Sequence, residues 1–285
     1  MLSLKEIRDR ISSIESIMKI TSAMKMVSAS KLKKAQRELI AIENYWKKLK
    51  SISSNLENVR LLSKKTEAIK KTIKRPTLIL LIGSNKGLCG GFNNGIPKAI
   101  GQWEKAHPNE TFSLLTIGKK IKMLLNKDYA IYQDRSDLLE NPTLEASCEL
   151  IKTLLSHSFD RVIMIYNYPK RLSVNEIHIK DLISNEFHYD RHEVEFLNDM
   201  THFDFIIEPS KKEVLTYVEL HQMEIKLFKA IMQSLVAEHG SRMMAMHQAN
   251  ENASSLKTDL SLSYNKARQA SITKEIIELS SSSIN

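Results

Sequence analysis

The sequence predicts an α/β fold in which long N- and C-terminal helices form an antiparallel coiled coil beside a central, Rossmann-like α/β domain. Residues 1–75 contain neither Pro nor Gly, and residues 210–285 contain one Gly and no Pro, so little there interrupts a helix. Between them, short apolar runs ending in Gly alternate with helical patterns, which is typical of α/β domains. We therefore predict an N-terminal helix at 1–75, a central domain at 76–209 and a C-terminal helix at 210–285.

The N-terminal segment carries apolar residues at the 4-3-4 spacing of a coiled-coil seam. The seam residues are Ile7, Ile11, Ile14 and Met18, and the spacing resumes with Leu32, Ala35, Leu39, Ile42, Trp46 and Leu49. Between these stretches Ile20, Met24 and Val27 form a neighbouring stripe, so we expect the seam to shift its register near Ile20. A helix of about 57 residues is roughly 85 Å long, and it must project from the domain or pair with another helix.

The C-terminal segment has a seam that is small and polar for its length. Its heptad stripe is Met246, Ala249, Ala253, Leu256, Leu260, Ser263, Ala267 and Ala270. Neither terminal seam is apolar enough for a large bundle, so one antiparallel helix pair is the economical arrangement. We expect Ile7, Ile11 and Ile14 to face the C-terminal helix.

The central segment predicts a mostly parallel sheet with helices on both faces. The predicted strands are 77–83, 112–118, 129–133, 161–168 and an edge strand at 174–183, and the predicted helices are 96–106, 119–127 and 142–159. For the third of these helices, Asn141 is the expected N-cap and Pro142 the first helical residue.

Composition indicates a folded soluble protein, with 42% hydrophobic and 26% charged residues. The sequence predicts no membrane-spanning helix, signal peptide or transit peptide. Two cysteines, Cys89 and Cys148, are typical of a reducing compartment. The net charge is +9, and residues 1–75 hold 19 Lys and Arg against 7 Asp and Glu. Nucleic acid, an anionic membrane surface, an acidic protein partner and a merely solvated helix face all remain compatible with this basic segment.

The sharpest local motif is the Gly-rich sequence GSNKGLCGGFN at residues 83–93, directly after the first predicted strand. Gly-rich turns between a strand and a helix often bind phosphate. Here the pattern G-x-G-x-x-G is absent, and Phe92 and Asn93 stand where a P-loop has Lys and Ser or Thr. We therefore expect a tight turn with positive φ angles and close backbone packing, and no nucleotide cofactor.

Other candidate chemical sites are weak. No His lies within ten residues of Cys89, so we expect a packed thiol rather than a nucleophile. His188 and His192 have helical spacing without a third ligand, so no metal site is expected. The basic run at 19–37 has no interleaved aromatic residue, which argues against a nucleic-acid arm. We expect no catalytic residue on this chain.

Three stretches of the sequence resemble the signatures of one family, the gamma subunits of F-type ATP synthases. They are KEIRDRISSIESIMKITSAMKMVSASKLKKAQ at 5–36, GLCGGFN at 87–93 and SRMMAMHQANENASSLKTDLSLSYNKARQASITKEIIE at 241–278. The stretches occur in the family's order and spacing. The chain departs from the family at Asn85 and Lys86, where Asp and Arg are usual, and at His247, where Lys is usual.

The resemblance implies a central rotor shaft. In this family the paired terminal helices stand inside a ring of alpha and beta subunits, and the α/β domain lies with epsilon on a membrane-embedded ring of c subunits. Proton flow turns the shaft, which drives the beta subunits through states of different nucleotide affinity, so that ATP is made on beta. The implied location is peripheral, on the cytoplasmic side of a bacterial inner membrane, with neither nucleic acid nor a small-molecule substrate bound to this chain.

The resemblance also implies individual contact residues. Met24 and Lys25 match the part of the N-terminal helix that meets beta, and Glu208 matches a position at the foot of the shaft near the c ring. The matching positions for beta contact and coupling on the C-terminal helix are Arg242, Arg268, Gln269 and Thr273. We expect Arg242 and Gln269 to fill no core position. From the residues alone, a coiled-coil scaffold and a basic nucleic-acid-binding arm remain alternatives.

Overall fold

The computed structural model describes residues 3–61, 76–125, 128–157, 159, 161–171, 174–183 and 207–282. The helices are α1 (Leu4–Leu61), α2 (Gly95–Ala106), α3 (Lys119–Leu125), α4 (Leu144–Ser156) and α5 (Lys211–Ser282). The strands are β1 (Thr77–Ile82), β2 (Phe112–Ile117), β3 (Ile131–Asp134), β4 (Arg161–Arg171) and β5 (Val174–Ile183), and a short 3-10 helix at Ser136–Leu139 follows β3. The predicted fold class is confirmed, because long helices form at both ends and a mixed sheet forms between them in the sequence.

The predicted strands and short helices agree with the structure to within a few residues, but the N-cap of α4 differs from the predicted one. Thr143 is the N-cap, and its Oγ1 accepts a hydrogen bond from Ala146 N at 3.3 Å. The prediction that Asn141 is the N-cap is therefore wrong, since the hydroxyl of Thr143 satisfies the free N–H of the first turn. His188, His192 and the predicted boundary at residue 75 lie outside the described residues.

The chain divides into two compact units. We call Leu32–Ser241 the sheet unit, and Met1–Lys31 with Arg242–Asn285 the helix-pair unit. Helices α1 and α5 each contribute to both.

The sheet unit contains five strands in the order β3-β2-β1-β4-β5. The first four strands are parallel, and β5 pairs antiparallel with β4 at the edge. Every residue of β1 is buried, as expected for a central parallel strand whose two faces are both covered. On one face Ile79 and Leu81 pack with Ile100 of α2 and Ile121 of α3 in a single apolar cluster.

Within the sheet unit, α5 runs along the edge strand β5. Lys226 Nζ donates to the backbone carbonyl of Asp181, and Asn175 Nδ2 donates to Ser241 Oγ at 2.6 Å. The residue numbers rise along α5 as they fall along β5, so the two elements are antiparallel. These side chains satisfy polar groups at an edge that would otherwise be open to strand pairing.

Helix α1 also packs on α5 inside the sheet unit. Leu49 forms an apolar cluster with Val218 and Ile225. Tyr45 Oη lies 2.8 Å from His221 Nε2. In the sheet unit, apolar and aromatic contacts therefore hold α1 against α5.

None of the helices in the described part of the chain has the combination of length and apolar character needed to cross a membrane.

Candidate functional site

Three side-chain contacts set the register of α1 against α5 in the helix-pair unit. Lys257 Nζ lies 2.9 Å from Glu15 Oε1, and Thr21 Oγ1 lies 3.3 Å from Asn250 Oδ1. Lys25 Nζ lies 3.2 Å from the Nδ1 atom of His247. The α1 number rises by ten across these contacts while the α5 number falls by ten, so the predicted antiparallel pairing is confirmed.

The seam of α1 does not shift near Ile20, so that prediction is wrong. Ile7 is buried, and the heptad spacing continues unbroken through Thr21 and Ser28, which are also buried. Ile20 and Val27 are instead 60% and 57% exposed. The polar seam position is tolerated because the hydroxyl of Thr21 lies within hydrogen-bond distance of the carbonyl of Ile17 as well as of Asn250.

The seam of α5 also differs from the prediction in its register. Met246 and Ala253 are buried, and Ala249, Leu260 and Ala267 are half-buried, as predicted, but Leu256, Ser263 and Ala270 are exposed. Lys257, Tyr264 and Ser271 are half-buried in their place, and Asn250 is half-buried beside Ala249. Two heptad patterns that differ by one residue at alternate positions both fit this part of α5. The structure uses the more polar pattern, because Asn250 and Lys257 contact Thr21 and Glu15 of α1.

A second apolar stripe on α1 lies outside the seam. It consists of Ile17, Ile20, Met24 and Val27, at 3-4-3 spacing, and Met24 alone among them is half-buried. A contiguous exposed apolar stripe is typical of a surface that binds another protein. We call these four residues the outer stripe.

The last turns of α5 extend past the start of α1. The contact register places Leu4 opposite about residue 268, so roughly the last fourteen residues of α5 lie beyond the first turn of α1. The exposed large apolar side chains of this section are Ile272, Ile276, Ile277 and Leu279. In the described ranges α1 does not extend opposite residues 269–282, and this section is therefore a second exposed surface of the helix-pair unit.

The site residues implied by the resemblance fall on different surfaces. Lys25 is half-buried against His247, next to the outer stripe. Gln269 and Thr273 are exposed at the end of α5, where Thr273 Oγ1 donates to the carbonyl of Gln269 at 2.9 Å. Arg268 is exposed there too, and Glu208 is exposed in the sheet unit just before α5.

Arg242 is only 7% exposed, so the expectation that it fills no core position is wrong. It lies 26 residues before Arg268, about 39 Å along a straight helix. In the described chain these residues do not converge on one cavity. They can act together only on an extended partner.

The Gly-rich turn after β1 is closed by its own polar groups. Asn93 Oδ1 accepts from Ser84 N at 3.1 Å, and Asn93 Nδ2 donates to Ser84 Oγ at 2.8 Å. Leu88 and Gly90 have φ angles of 61° and 59°. Cys89 is buried beside Phe92 and Ala237. The expected tight turn with positive φ angles is confirmed, and Cys89 is the packed thiol that the sequence predicts.

The second cysteine is shielded in a different way. Burial, together with the nearby carboxylate of Glu224, raises the pKa of the Cys148 thiol to about 11. It is therefore protonated at neutral pH and a poor nucleophile. In the described ranges, His, Cys, Asp and Glu side chains form no group of three that could hold a metal ion.

Sequence reasoning missed the pairs Thr21–Asn250 and Lys25–His247 because it followed hydrophobicity. A strict heptad count from Ile7 through polar positions would have placed Thr21 and Lys25 in the seam of α1, since residues 7, 11, 14, 18, 21, 25 and 28 keep one register, but it would not have identified their partners on α5.

The sequence of this chain is similar to known proteins over nearly its whole length. A family model described as ATP synthase matches residues 3–283. The ATP synthase gamma chain of Christiangramia forsetii is 37% identical over 284 residues, covering 98% of this chain and 97% of the relative. That of Trichlorobacter lovleyi is 35% identical over 290 residues, with the same coverage.

Solved structures agree with these relatives. The central stalk of the Tetrahymena thermophila mitochondrial ATP synthase matches with a TM-score of 0.60 and 27% identity, covering 81% of this chain and 99% of that chain. The rotor of the Euglena gracilis mitochondrial enzyme matches in fold, with a TM-score of 0.62 and 16% identity over 94% of this chain and 98% of that chain.

Proposed function

This chain belongs to the gamma-chain family of ATP synthases, and we propose from that premise which of its surfaces couple rotation to ATP synthesis. A gamma chain is the central stalk subunit of the enzyme, and the scaffold and nucleic-acid alternatives have no support among the relatives. We propose that the helix-pair unit turns inside a ring of alpha and beta subunits. The sheet unit contacts epsilon and the c ring.

The outer stripe of α1 is the observation that carries this proposal. The exposed side chains of Ile17, Ile20 and Val27 contribute nothing to the seam, yet leaving large apolar side chains in water forgoes the stabilisation of burial. A ring subunit that covers the stripe supplies that burial. The basic N-terminal segment, with 19 Lys and Arg against 7 Asp and Glu in residues 1–75, would complement an acidic surface on a partner subunit.

The end of α5 suits a bearing rather than an anchor. Its exposed residues in 269–282 are aliphatic, polar or charged, and the sequence of this section contains no aromatic residue. Aromatic anchors in deep pockets typically form hot spots worth about 2 kcal/mol or more each, and they would hold the shaft in one orientation. Shallow aliphatic contacts of Ile272 and Ile276 remain similar as the shaft turns.

The proposed contact residues then have distinct roles. Met24 and Lys25 meet beta beside the outer stripe, and Arg268, Gln269 and Thr273 meet the ring at the end of α5. Arg242 is assigned to coupling through its buried position in α5. Glu208 is assigned to the foot of the shaft, facing the c ring.

ATP chemistry takes place on beta in this proposal, and this chain carries no catalytic residue. The polar groups of the Gly-rich turn are engaged with one another through Ser84 and Asn93. Neither cysteine is an activated thiol, since Cys89 is buried and the pKa of Cys148 is raised. The location that follows is peripheral, on the cytoplasmic side of a bacterial inner membrane, with alpha, beta, epsilon and c subunits as partners.

The direct test replaces Gln269 with Ala in the reconstituted enzyme. Gln269 is exposed, so the substitution leaves the fold of the chain unchanged. We expect ATP-driven proton pumping per ATP hydrolysed to fall about two- to fivefold, the size of one interface contact of roughly 0.5–1 kcal/mol. Pumping and ATPase rates are measured in the same membranes, with assembly checked by gel.

The matched control is Gln102→Ala, at an exposed position on α2 in the sheet unit. It is expected to match the wild type in both rates. Wild-type coupling in the Gln269→Ala enzyme would remove this residue from the interface. Loss of assembly would make its role structural instead.

A further inference from the structure

The contact between Lys25 and His247 determines which ring nitrogen carries the proton. Lys25 Nζ lies 3.2 Å from His247 Nδ1, and His247 Nε2 lies 3.4 Å from Glu251 Oε1. An ammonium group can only donate, so Nδ1 accepts and carries no proton while this bond exists. In the neutral ring the single proton is therefore on Nε2, where it faces the carboxylate of Glu251.

Protonation of the His247 imidazole breaks the hydrogen bond with Lys25 but keeps the contact with Glu251. A second proton binds to Nδ1, at the lone pair that had accepted from Lys25. The ammonium group of Lys25 then loses its acceptor and faces a positive charge, whereas the contact with Glu251 becomes an ion pair. Imidazole side chains change charge between about pH 5 and 8, which includes the working range of most cells.

The other side chains around the His247 imidazole do not alter the effect of its protonation on Lys25. On α1, the facing residue next to Lys25 in the seam is Thr21, which is neutral and lies 3.3 Å from Asn250. Among the described contacts, Lys25 from α1 and Glu251 from α5 are the charged groups that meet His247.

We infer that His247 is a positioning residue for Lys25. Neutral His247 holds the ammonium group of Lys25 against the seam, and protonated His247 releases it toward the surface of the alpha–beta ring. The inference rests on the proposed function, in which Lys25 contacts beta. A Lys at position 247 would offer Lys25 no acceptor, so the pH response is specific to His.

The first experiment measures the exposure of the Lys25 amine in the full chain alone. The chain is acetylated briefly with acetic anhydride at pH 8 and at pH 6, and each lysine is quantified by mass spectrometry. Lys31, exposed six residues later on the same helix, is the internal reference. We expect the Lys25-to-Lys31 ratio to rise at least about twofold at pH 6, because imidazole side chains change charge between about pH 5 and 8. A ratio that does not change with pH overturns the inference.

Two substitutions separate positioning from simple space filling. Gln at 247 offers an acceptor to Lys25 and a donor to Glu251 at every pH, so His247→Gln is expected to keep the ratio low and flat. His247→Lys has a permanent charge and no acceptor, so its ratio is expected to be high and flat. A Gln variant that keeps the wild-type pH response would assign the response to another group and refute the role of His247.

The second experiment measures the affinity of the same three chains for the assembled alpha–beta ring. At pH 8 the affinity of the wild type is expected to match that of His247→Gln, and at pH 6 it is expected to approach that of His247→Lys. The affinity at pH 6 is expected to be about two- to fivefold higher than at pH 8, as for one exposed ion pair. If acetylation follows the expected pattern but affinity does not, Lys25 has no ring contact. In that case the assignment of Lys25 in the proposed function fails, while its control by His247 stands.

Discussion

In the sheet unit, all six residues of β1 are buried. In the helix-pair unit, Met246 and Ala253 are the only buried residues among the described side chains of α5 after Arg242. The sheet unit packs Ile79, Leu81 and their neighbours into a closed apolar cluster. The helix-pair unit instead buries only a few apolar seam residues, such as Ile7, Met246 and Ala253, and adds polar contacts between its helices. It leaves other apolar side chains on its outside. One unit completes its own core, and the other presents surfaces that are complete only against a partner.

The difference indicates how the two units divide the work of a rotor. A closed core resists deformation, because well-packed interiors have low compressibility and transmit strain. The sheet unit is therefore suited to carry torque. The helix-pair unit needs many shallow contacts that change as the ring changes, and its small and polar seam is compatible with them.

The largest effect is expected from a cavity in the sheet core. Leu81→Ala removes a fully buried side chain, and such substitutions typically cost about 2–5 kcal/mol of unfolding free energy. The transition can be followed by Trp103 fluorescence in a Trp46→Phe background, since the chain has two tryptophans and Trp103 lies in the cluster of Leu81.

The matched substitution in the helix-pair unit is Leu256→Ala. Leu256 is 53% exposed, so its loss is expected to change the unfolding free energy by no more than about 0.5 kcal/mol. Equal destabilisation by the two variants would contradict the contrast between the units.

A smaller effect is expected from the ion pair that joins Glu15 to Lys257. The hydrogen bond and charge of Lys257 hold the pKa of Glu15 below its ordinary value of 4.5. A carboxyl group with a lowered folded-state pKa stabilises the fold above its unfolded pKa, and this contribution is lost as pH falls through the folded pKa. Glu15→Gln is thus expected to lower the melting temperature slightly at pH 7 and not at pH 3. Asp259→Asn, at an exposed position of α5 in the same unit, is the control. An equal loss at both pH values would exclude the charge as the cause.

The sheet was predictable because its signals are local. TLILLI is an uninterrupted apolar run that ends at Gly83, which identifies a buried strand without knowledge of its neighbours. The Gly-rich turn was predictable for the same reason. The cap of α4 was misplaced because Asn141 and Thr143 are both good caps, and only the geometry of the first turn distinguishes them.

The register of the helix pair was not predictable, because it depends on contacts far apart in sequence. Thr21 is stable in the seam since it faces Asn250, 229 residues away. Hydrophobicity alone favoured Ile20 and Val27, which the structure places on the outside. The burial of Arg242 likewise depends on packing against residues far away in the sequence. The exposure of Gln269, in contrast, follows from helix periodicity and from the mostly polar residues around it in the sequence.

The outer stripe provides the most direct test of the rotor account, through the double substitution Ile20→Asn with Val27→Asn. Both side chains are exposed, so the melting temperature of the free chain is expected to stay within a few degrees of the wild type. Affinity for the assembled alpha–beta ring, measured by titration of a fluorescently labelled chain, is expected to fall at least about tenfold, since burying the exposed parts of these two aliphatic side chains is worth roughly 1 kcal/mol each. Unchanged affinity together with a large drop in melting temperature would contradict the account, because the stripe would then belong to the fold and not to a partner.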